Sequence, residues 1–250
     1  MNQYKGLNKL ETGAPIPIYY QLQAIIRGKI ENGHWESGRM IPTERQLVEA
    51  YGVSIGTVKK AILNLVNEGY LQRFQGKGTF VKGTILRRES LRYYRFLEAF
   101  SGEENDLSVK PIRLKRISGF HPANHYLKIS PDKDLFELKR IFFLRNMPVV
   151  FSISYLTAKL FKDIDKIPFA SFTQKTLYAT IEEKYGLPTI RNRELIGAIL
   201  PSHNVCNALQ INKTNPVLFI EMLAFTYKDK PFEYRRAYCA TPSLKIFREY

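Results

Sequence analysis

A chain of 250 residues, 44% apolar and 13% aromatic, is longer than one small domain needs and rich enough in apolar side chains for ordinary packed cores, so two domains are expected. No run approaches the ~18 apolar residues of a membrane span, and the N-terminus lacks the basic start and apolar core of a signal peptide; the expectation is a soluble, cytoplasmic protein with no membrane partner. A net charge of +15 and a pI near 9.7 favour a polyanionic partner, with nucleic acid ahead of lipid because no basic amphipathic helix or lipidation signal is evident.

In chain order, Pro15 and Pro17 hold the entry extended, and Leu22, Ile26 and Ile30 recur at helical spacing beside Ile18 and Ile25 until Asn32-Gly33. His34-Trp35 reads as an aromatic over that helix end. Thr43-Glu44-Arg45-Gln46 has the form of a capping box, so a helix starts at Thr43, buries Leu47, Val48 and Tyr51, and stops at Gly52. Val53 plugs the turn, and Ser54 caps a further helix running to about Glu68. One side of that helix is Val58, Ala61, Ile62 and Leu65; elsewhere it carries Thr57, Lys59, Lys60, Asn64 and Asn67. After Gly69, residues Tyr70–Phe74 and Thr79–Val81 read as short strands around the turn Gln75-Gly76-Lys77-Gly78. Two capped helices about a Gly turn, followed by a glycine-tipped hairpin, are the sequence form of a helix-turn-helix with a wing.

These residues resemble the winged helix-turn-helix of the GntR family of bacterial transcription regulators. The likeness runs from Ile16 to Val81 through Pro17-Ile18-Tyr19-Tyr20-Gln21-Leu22, Ile41-Pro42-Thr43-Glu44-Arg45, Val53-Ser54, Thr57–Ile62, Glu68-Gly69 and Gln75–Val81, in order and at matching spacing. It implies a homodimer on a double-stranded DNA operator of two half-sites. The DNA-facing residues it implies are Thr43, Glu44, Arg45, Ser54, Gly56, Thr57, Lys59, Lys60, Gln75, Gly76, Lys77 and Gly78. Two positions depart from the family, which often has Arg where Ile55 and Lys59 stand here, so bidentate Arg–guanine readout is lost at both and a different base preference is expected.

Beyond Val81, residues 82–95 carry scattered cations without an apolar period and read as linker, and Phe96–Phe100 as a short helical patch. From Val109 the pattern is strand-rich. Strands are expected over Ile112–Ile117, Leu135–Leu144, Val149–Leu156, Ile190–Leu200, Val217–Tyr227 and Phe232–Ala240, with helices over Pro122–Leu127, Thr176–Tyr185 and from a Ser202 cap to Leu209. Hairpins join the second to the third strand across Arg145–Pro148 and the last two across Lys228–Pro231. The fold class is therefore α+β: a winged helix-turn-helix over 1–82, a linker over 83–104, and a mostly antiparallel sheet domain over 105–250.

The second half resembles the UTRA effector-binding domain of the HutC-type branch, which has a chorismate lyase-like fold. Leu138-Lys139-Arg140, Met147-Pro148-Val149, Thr176-Leu177-Tyr178, Glu182–Gly186 and Lys230–Tyr234 carry the likeness. In relatives that sense phosphosugars, the resemblance implies a pocket with an Arg-x-Arg pair, a hydroxyl-bearing Ser-Leu-Tyr and two glutamates. Here Arg140 keeps the first arginine and Phe142 replaces the second. Thr176 and Tyr178 keep their hydroxyls, Ser152 stands in place of one glutamate, and Glu233 keeps the other. A phosphate dianion loses charge-assisted bonds worth about 1.5–3 kcal/mol each by that exchange, which turns the expectation to an anionic metabolite with an apolar part, such as a carboxylate. Arg140 reads equally as a salt bridge inside the sheet, and Glu233 as a solvated edge residue.

His121 and His125 flank Pro122 without a carboxylate partner, and Cys206 and Cys239 have no CxxC spacing, so neither a metal nor any other cofactor is expected. No nucleophile–base arrangement is visible, so catalytic residues are none. The reading is a DNA-binding repressor that answers to a small-molecule effector. The alternatives are a lyase-like enzyme on the second domain and a constitutive DNA-binding protein.

Overall fold

The computed structural model describes residues 10–11, 15–83, 96–97, 107–174, 177–240 and 245–246. The chain divides into two compact units, one formed by residues 1–84 with 182–190 and 227–229, the other by the remainder.

The first unit is built on three helices, α1 (Ile18–Glu31), α2 (Glu44–Tyr51) and α3 (Ile55–Asn67), and a hairpin of β1 (Leu71–Phe74) and β2 (Gly78–Val81). Pro17 serves as the N-cap of α1, and its carbonyl accepts from the Tyr20 and Gln21 amides. The expected stripe Leu22, Ile26 and Ile30 is buried and meets Leu47 of α2 and Val58, Ala61, Ile62 and Leu65 of α3. Each of these Val, Leu and Ile side chains contributes roughly 1.5–3 kcal/mol by leaving water, and Ala61 less. A polar relay links α1 to α3: Asn64 donates to Gln23 at 3.1 Å, and Gln23 donates to Glu68 at 2.7 Å. Residues 39–41 flank the hairpin, with the Ile41 amide donating to Thr79 O and the Val81 amide to Arg39 O, both at 2.9 Å. The later segments complete this core, because the Tyr227 ring stacks on Tyr70 at 4.1 Å and the Lys228 amide donates to Glu68 O at 3.0 Å.

In the second unit the strands are β4 (Leu107–Ser118), β5 (Asp134–Leu144), β6 (Met147–Thr157), β7 (Arg191–Ile199), β8 (Val217–Thr226) and β9 (Lys230–Cys239). With Phe96–Leu97 taken as β3, the sheet order is β4-β5-β6-β9-β8-β7, and every neighbouring pair is antiparallel. Helices α4 (His121–Tyr126), α5 (Ser171–Gln174), α6 (Leu177–Tyr185) and α7 (His203–Leu209) lie between strands in sequence. The β5–β6 turn is Arg145-Asn146, both at positive φ, the backbone that a two-residue hairpin turn needs to follow the strand twist.

Several boundaries differ from the sequence reading. β4 starts at Leu107, five residues before the expected Ile112, because its first half alternates buried Leu107, Val109 and Pro111 with exposed residues across a bulge before Arg113. Pro231 lies inside β9 and not in the turn, which is Tyr227–Asp229. Ser202 precedes α7 but its hydroxyl makes no capping bond. Phe96–Leu97 is a strand paired with Lys245–Ile246, not part of a helix, and residues 98–100 lie outside the described residues. An apolar cluster without a capping residue does not distinguish the two periods over so short a run.

Candidate nucleic-acid interface and ligand site

At the start of α2 the capping box is complete. The Gln46 amide donates to Thr43 Oγ1 at 3.3 Å, and the Thr43 amide donates to Gln46 Oε1 at 2.8 Å. Gly52 closes α2 at φ 63°, and Val53 packs partly buried on the core. The Thr57 amide then donates to Ser54 Oγ at 3.2 Å, which opens α3. Caps of this kind contribute about 0.5–2 kcal/mol each, and here they also fix where the chain exposes helix N-termini. Ser54, Ile55, Gly56 and Lys59 are exposed there, while Val58 on the opposite side is fully buried.

The hairpin tip turns through Gly76 at φ 72° and Gly78 at φ 118°, positive values that favour glycine, and Gln75, Gly76, Lys77 and Gly78 are all exposed. Between this tip and the start of α2 lies a cleft of about 760 Å³ lined by Thr43, Glu44, Arg45, Arg73 and Gln75 among others. Arg73 of β1 forms an ion pair with Glu44, so the one carboxylate among the expected DNA-facing residues is already matched by a guanidinium. Lys60 is drawn toward α1, its Nζ 4.0 Å from the Tyr19 ring centre. Arg45, Lys59 and Lys77 are exposed and form no ion pair among the described residues.

The second constellation lies within the sheet. Strand alternation and register place Arg140 opposite Ser152, Ser154 opposite Arg235, and Leu156 opposite Glu233, so all six share one face. Arg140 Nη2 donates to Ser154 Oγ at 3.2 Å, and Arg235 Nε approaches the same oxygen at 3.3 Å. Arg235 also grips Glu233 with a fork, Nε to Oε1 at 2.9 Å and Nη2 to Oε2 at 3.1 Å. Its guanidinium carbon stands 5.1 Å from the centre of the Tyr178 ring, and the Tyr178 hydroxyl donates to Met222 Sδ at 3.7 Å. Phe142, Phe161 and Phe232 are buried, Phe161 and Phe232 edge-on at 6.0 Å. The buried Ser152 hydroxyl has no hydrogen-bond partner among the described residues.

Burial pushes the Glu233 carboxyl upward, but Arg235 and Arg140, with the Ser154 and Tyr178 hydroxyls, outweigh it and hold the group below the usual carboxylate range. Burial drives the Tyr178 phenol well above its ordinary value, so it is a neutral donor. Glu233 is therefore a fully buried, ionised residue of a central strand; the solvated-edge alternative is corrected, because its strand lies between two others. The structure brings Arg140, Ser152, Tyr178 and Glu233 together, while Thr176 lies outside the described residues. The sequence reading passed over Arg235 and Ser154. The signal was present in the period-2 spacing, since Glu233-Tyr234-Arg235 puts opposite charges on one strand face.

The profile described as bacterial regulatory proteins of the gntR family matches residues 18–81, and that of the UTRA domain matches residues 112–245. The HTH-type transcriptional regulator YurK of Bacillus subtilis is 32% identical over 225 residues, spanning 89% of this chain and 90% of its own. The chain belongs to the GntR family of bacterial regulators, with a UTRA domain. Another relative, the HTH-type transcriptional repressor NagR of Bacillus subtilis, is 26% identical over 224 residues, covering 90% of each chain. In structure, the ligand-binding domain of a GntR-family regulator from Bordetella bronchiseptica matches 62% of this chain and 96% of its own, with TM-score 0.58 at 19% identity, which speaks to fold alone. This GntR-family member is accordingly a DNA-binding regulator with a C-terminal effector-binding domain and not an enzyme, which removes the lyase alternative. None of the described helices is long and apolar enough to cross a membrane.

Proposed function

We propose that the chain is a cytoplasmic repressor that binds an inverted-repeat operator as a homodimer and answers to a small anionic effector held on the β5–β6–β9 face. The observation that carries the DNA half is the pairing of a capped, exposed α3 N-terminus with a glycine-tipped, lysine-bearing hairpin in one unit. A helix end of this kind enters a major groove, its free amides and the positive end of its dipole facing phosphate, while the wing reaches the adjacent groove. Arg45, Lys59 and Lys77 take phosphate contacts in this reading; Ser54, Gly56 and Thr57 admit the backbone closely; and Lys60 and Glu44 position through Tyr19 and Arg73. Lys59→Ala and Lys77→Ala will each flatten the slope of log affinity against log salt by about one unit, as loss of one phosphate contact requires. Titration of a selected operator at several salt concentrations measures it, and an unchanged slope removes the residue from the interface.

For the effector, Arg140 and Arg235 converge on a single hydroxyl, Ser154, with Phe142, Phe161 and Phe232 also buried in this unit. An arriving carboxylate offers the Arg140 guanidinium an anionic acceptor in place of the neutral Ser154 hydroxyl, and an apolar body is matched to the phenyl rings. Ser152 offers a hydroxyl without a partner among the described residues for a further polar group. Thermal-shift screening with small carboxylates against phosphosugars tests this class. Arg140→Ala is expected to abolish the effector response while operator binding persists; loss of both assigns Arg140 a structural role, and a screen in which no metabolite shifts the protein favours constitutive binding.

A further inference from the structure

We infer that the cleft where β5 begins and β6 ends is a second ligand site, which takes a small phosphate-bearing anion. None of Arg140, Ser152, Tyr178, Glu233 and Arg235 lines this cleft, so it is separate from the proposed effector face.

The cleft measures about 850 Å³, within the roughly 300–1,000 Å³ of small-molecule sites. One wall is the loop after α4, carrying Lys128 and Lys133; the other is the segment after β6, carrying Lys159, Lys162 and Lys166. Asn124 holds the first wall in shape. It is 1% exposed, and its side-chain amide donates to the carbonyls of Ser130 at 2.8 Å and Lys133 at 3.0 Å while its Oδ1 accepts from the Phe120 amide. The second wall is anchored by the Ala158 amide, which donates to Asp134 O, and by the Leu160 and Phe161 amides, which both donate to Thr157 O. Walls held by their own backbone bonds need little ordering when a ligand arrives.

Charge gives the class of ligand. Among the described residues, six cations line the cleft against four aspartates. Arg116 pairs with Asp134 at 2.7 Å, Lys133 with Asp132 at 3.1 Å and Lys166 with Asp163 at 2.7 Å. Lys128 and Lys159 are exposed and form no ion pair among the described residues. The lining guanidinium is thus engaged, and what is left is ammonium, which meets phosphate as a point charge and lacks the planar fork that suits carboxylate. Thr157 adds a neutral donor: it lines the cleft, is 4% exposed, and its hydroxyl has no hydrogen-bond partner among the described residues. A buried hydroxyl left unmatched is costly, and a phosphoryl oxygen is an acceptor for it. A donor set this deep in a concave wall suits a small anion over the convex backbone of a duplex.

The test titrates the full chain with inorganic pyrophosphate by calorimetry, with succinate as the carboxylate control. Pyrophosphate is expected to bind at least tenfold more tightly than succinate. Lys128→Gln with Lys159→Gln is expected to weaken it at least tenfold with operator affinity unchanged, while Lys77→Ala and Arg140→Ala, each with an unchanged circular dichroism spectrum, bind it within twofold of wild type. Thr157→Val keeps the shape of the side chain and removes the unmatched hydroxyl, so it is expected to weaken pyrophosphate about fivefold without lowering the urea midpoint. Absent pyrophosphate binding, equal binding of succinate, or unchanged affinity in either the double-glutamine or the valine variant overturns the site. Binding lost in a folded Arg140→Ala chain overturns it in favour of the effector face, and a double-glutamine variant with weakened operator binding and a flatter salt slope overturns it in favour of a duplex contact. Each of these outcomes leaves the regulator reading standing.

Discussion

Replacing Arg235 with alanine will destabilise the second unit by about 3–5 kcal/mol, the range for removing one partner of a buried ion pair. Glu233 is wholly buried and held by a two-pronged fork from Arg235, so the variant strands a carboxylate that neither water nor the remaining Arg140 and Ser154 contacts fully compensate. Urea unfolding followed by circular dichroism measures the loss. Its pH dependence identifies the cause. In the wild type the Glu233 carboxyl is held below its ordinary range, so its contribution is present above that range and fades as pH falls through the lowered value. In Arg235→Ala the carboxyl moves upward, the penalty is greatest at neutral pH, and it shrinks in acid as the group takes a proton. The double substitution Glu233→Leu with Arg235→Met is expected to recover most of the stability, because paired burial is costly to break but replaceable by packing. A single-variant loss below 1 kcal/mol, or one flat in pH, would falsify the assignment of Glu233 and Arg235 as a tight ionised pair.

The second large effect is on sequence preference. Ile55 opens α3 directly after the Ser54 cap and is 44% exposed, an apolar side chain at the end of the helix that we propose faces DNA. The base-edge group that suits it is the thymine methyl, where many family members present arginine to guanine. Ile55→Arg is expected to change the preferred pair at one position in each half-site from T·A to G·C, with about 1–3 kcal/mol of discrimination per half-site. Selection from a randomised operator pool reads this directly. An identical preferred sequence for both proteins would place readout on other residues and leave Ile55 a surface residue.

The winged helix was legible because its signals are local. Thr43 with Gln46, Gly52, Ser54 with Thr57, and Gly76 with Gly78 each act within a few residues, and each took the geometry its chemistry demands. The candidate ligand site was legible only in part. Arg140, Ser152 and Glu233 could be placed because each sits in a short motif, yet what they touch depends on register between strands far apart in sequence: Ser154 faces Arg235 across 81 residues of chain. No local pattern predicts that two guanidiniums meet one serine. β4 was read five residues short at its start although Leu107, Val109 and Pro111 keep the strand period, and Phe96–Leu97 was read as helix because so short a run carries no period that distinguishes the two.

Both thiols of the chain, Cys206 on α7 and Cys239 on β9, are buried, and both belong to the second unit. They are thus a built-in chemical clock for that unit alone. A thiol-reactive dye modifies them only during excursions that part α7 or the sheet, so the labelling rate reports the free energy of those openings under native conditions. A small molecule that binds the Arg140–Arg235 face is expected to slow the labelling that requires the sheet to part, Cys239 above all, and the search for an effector can then be run on unlabelled, unmutated protein.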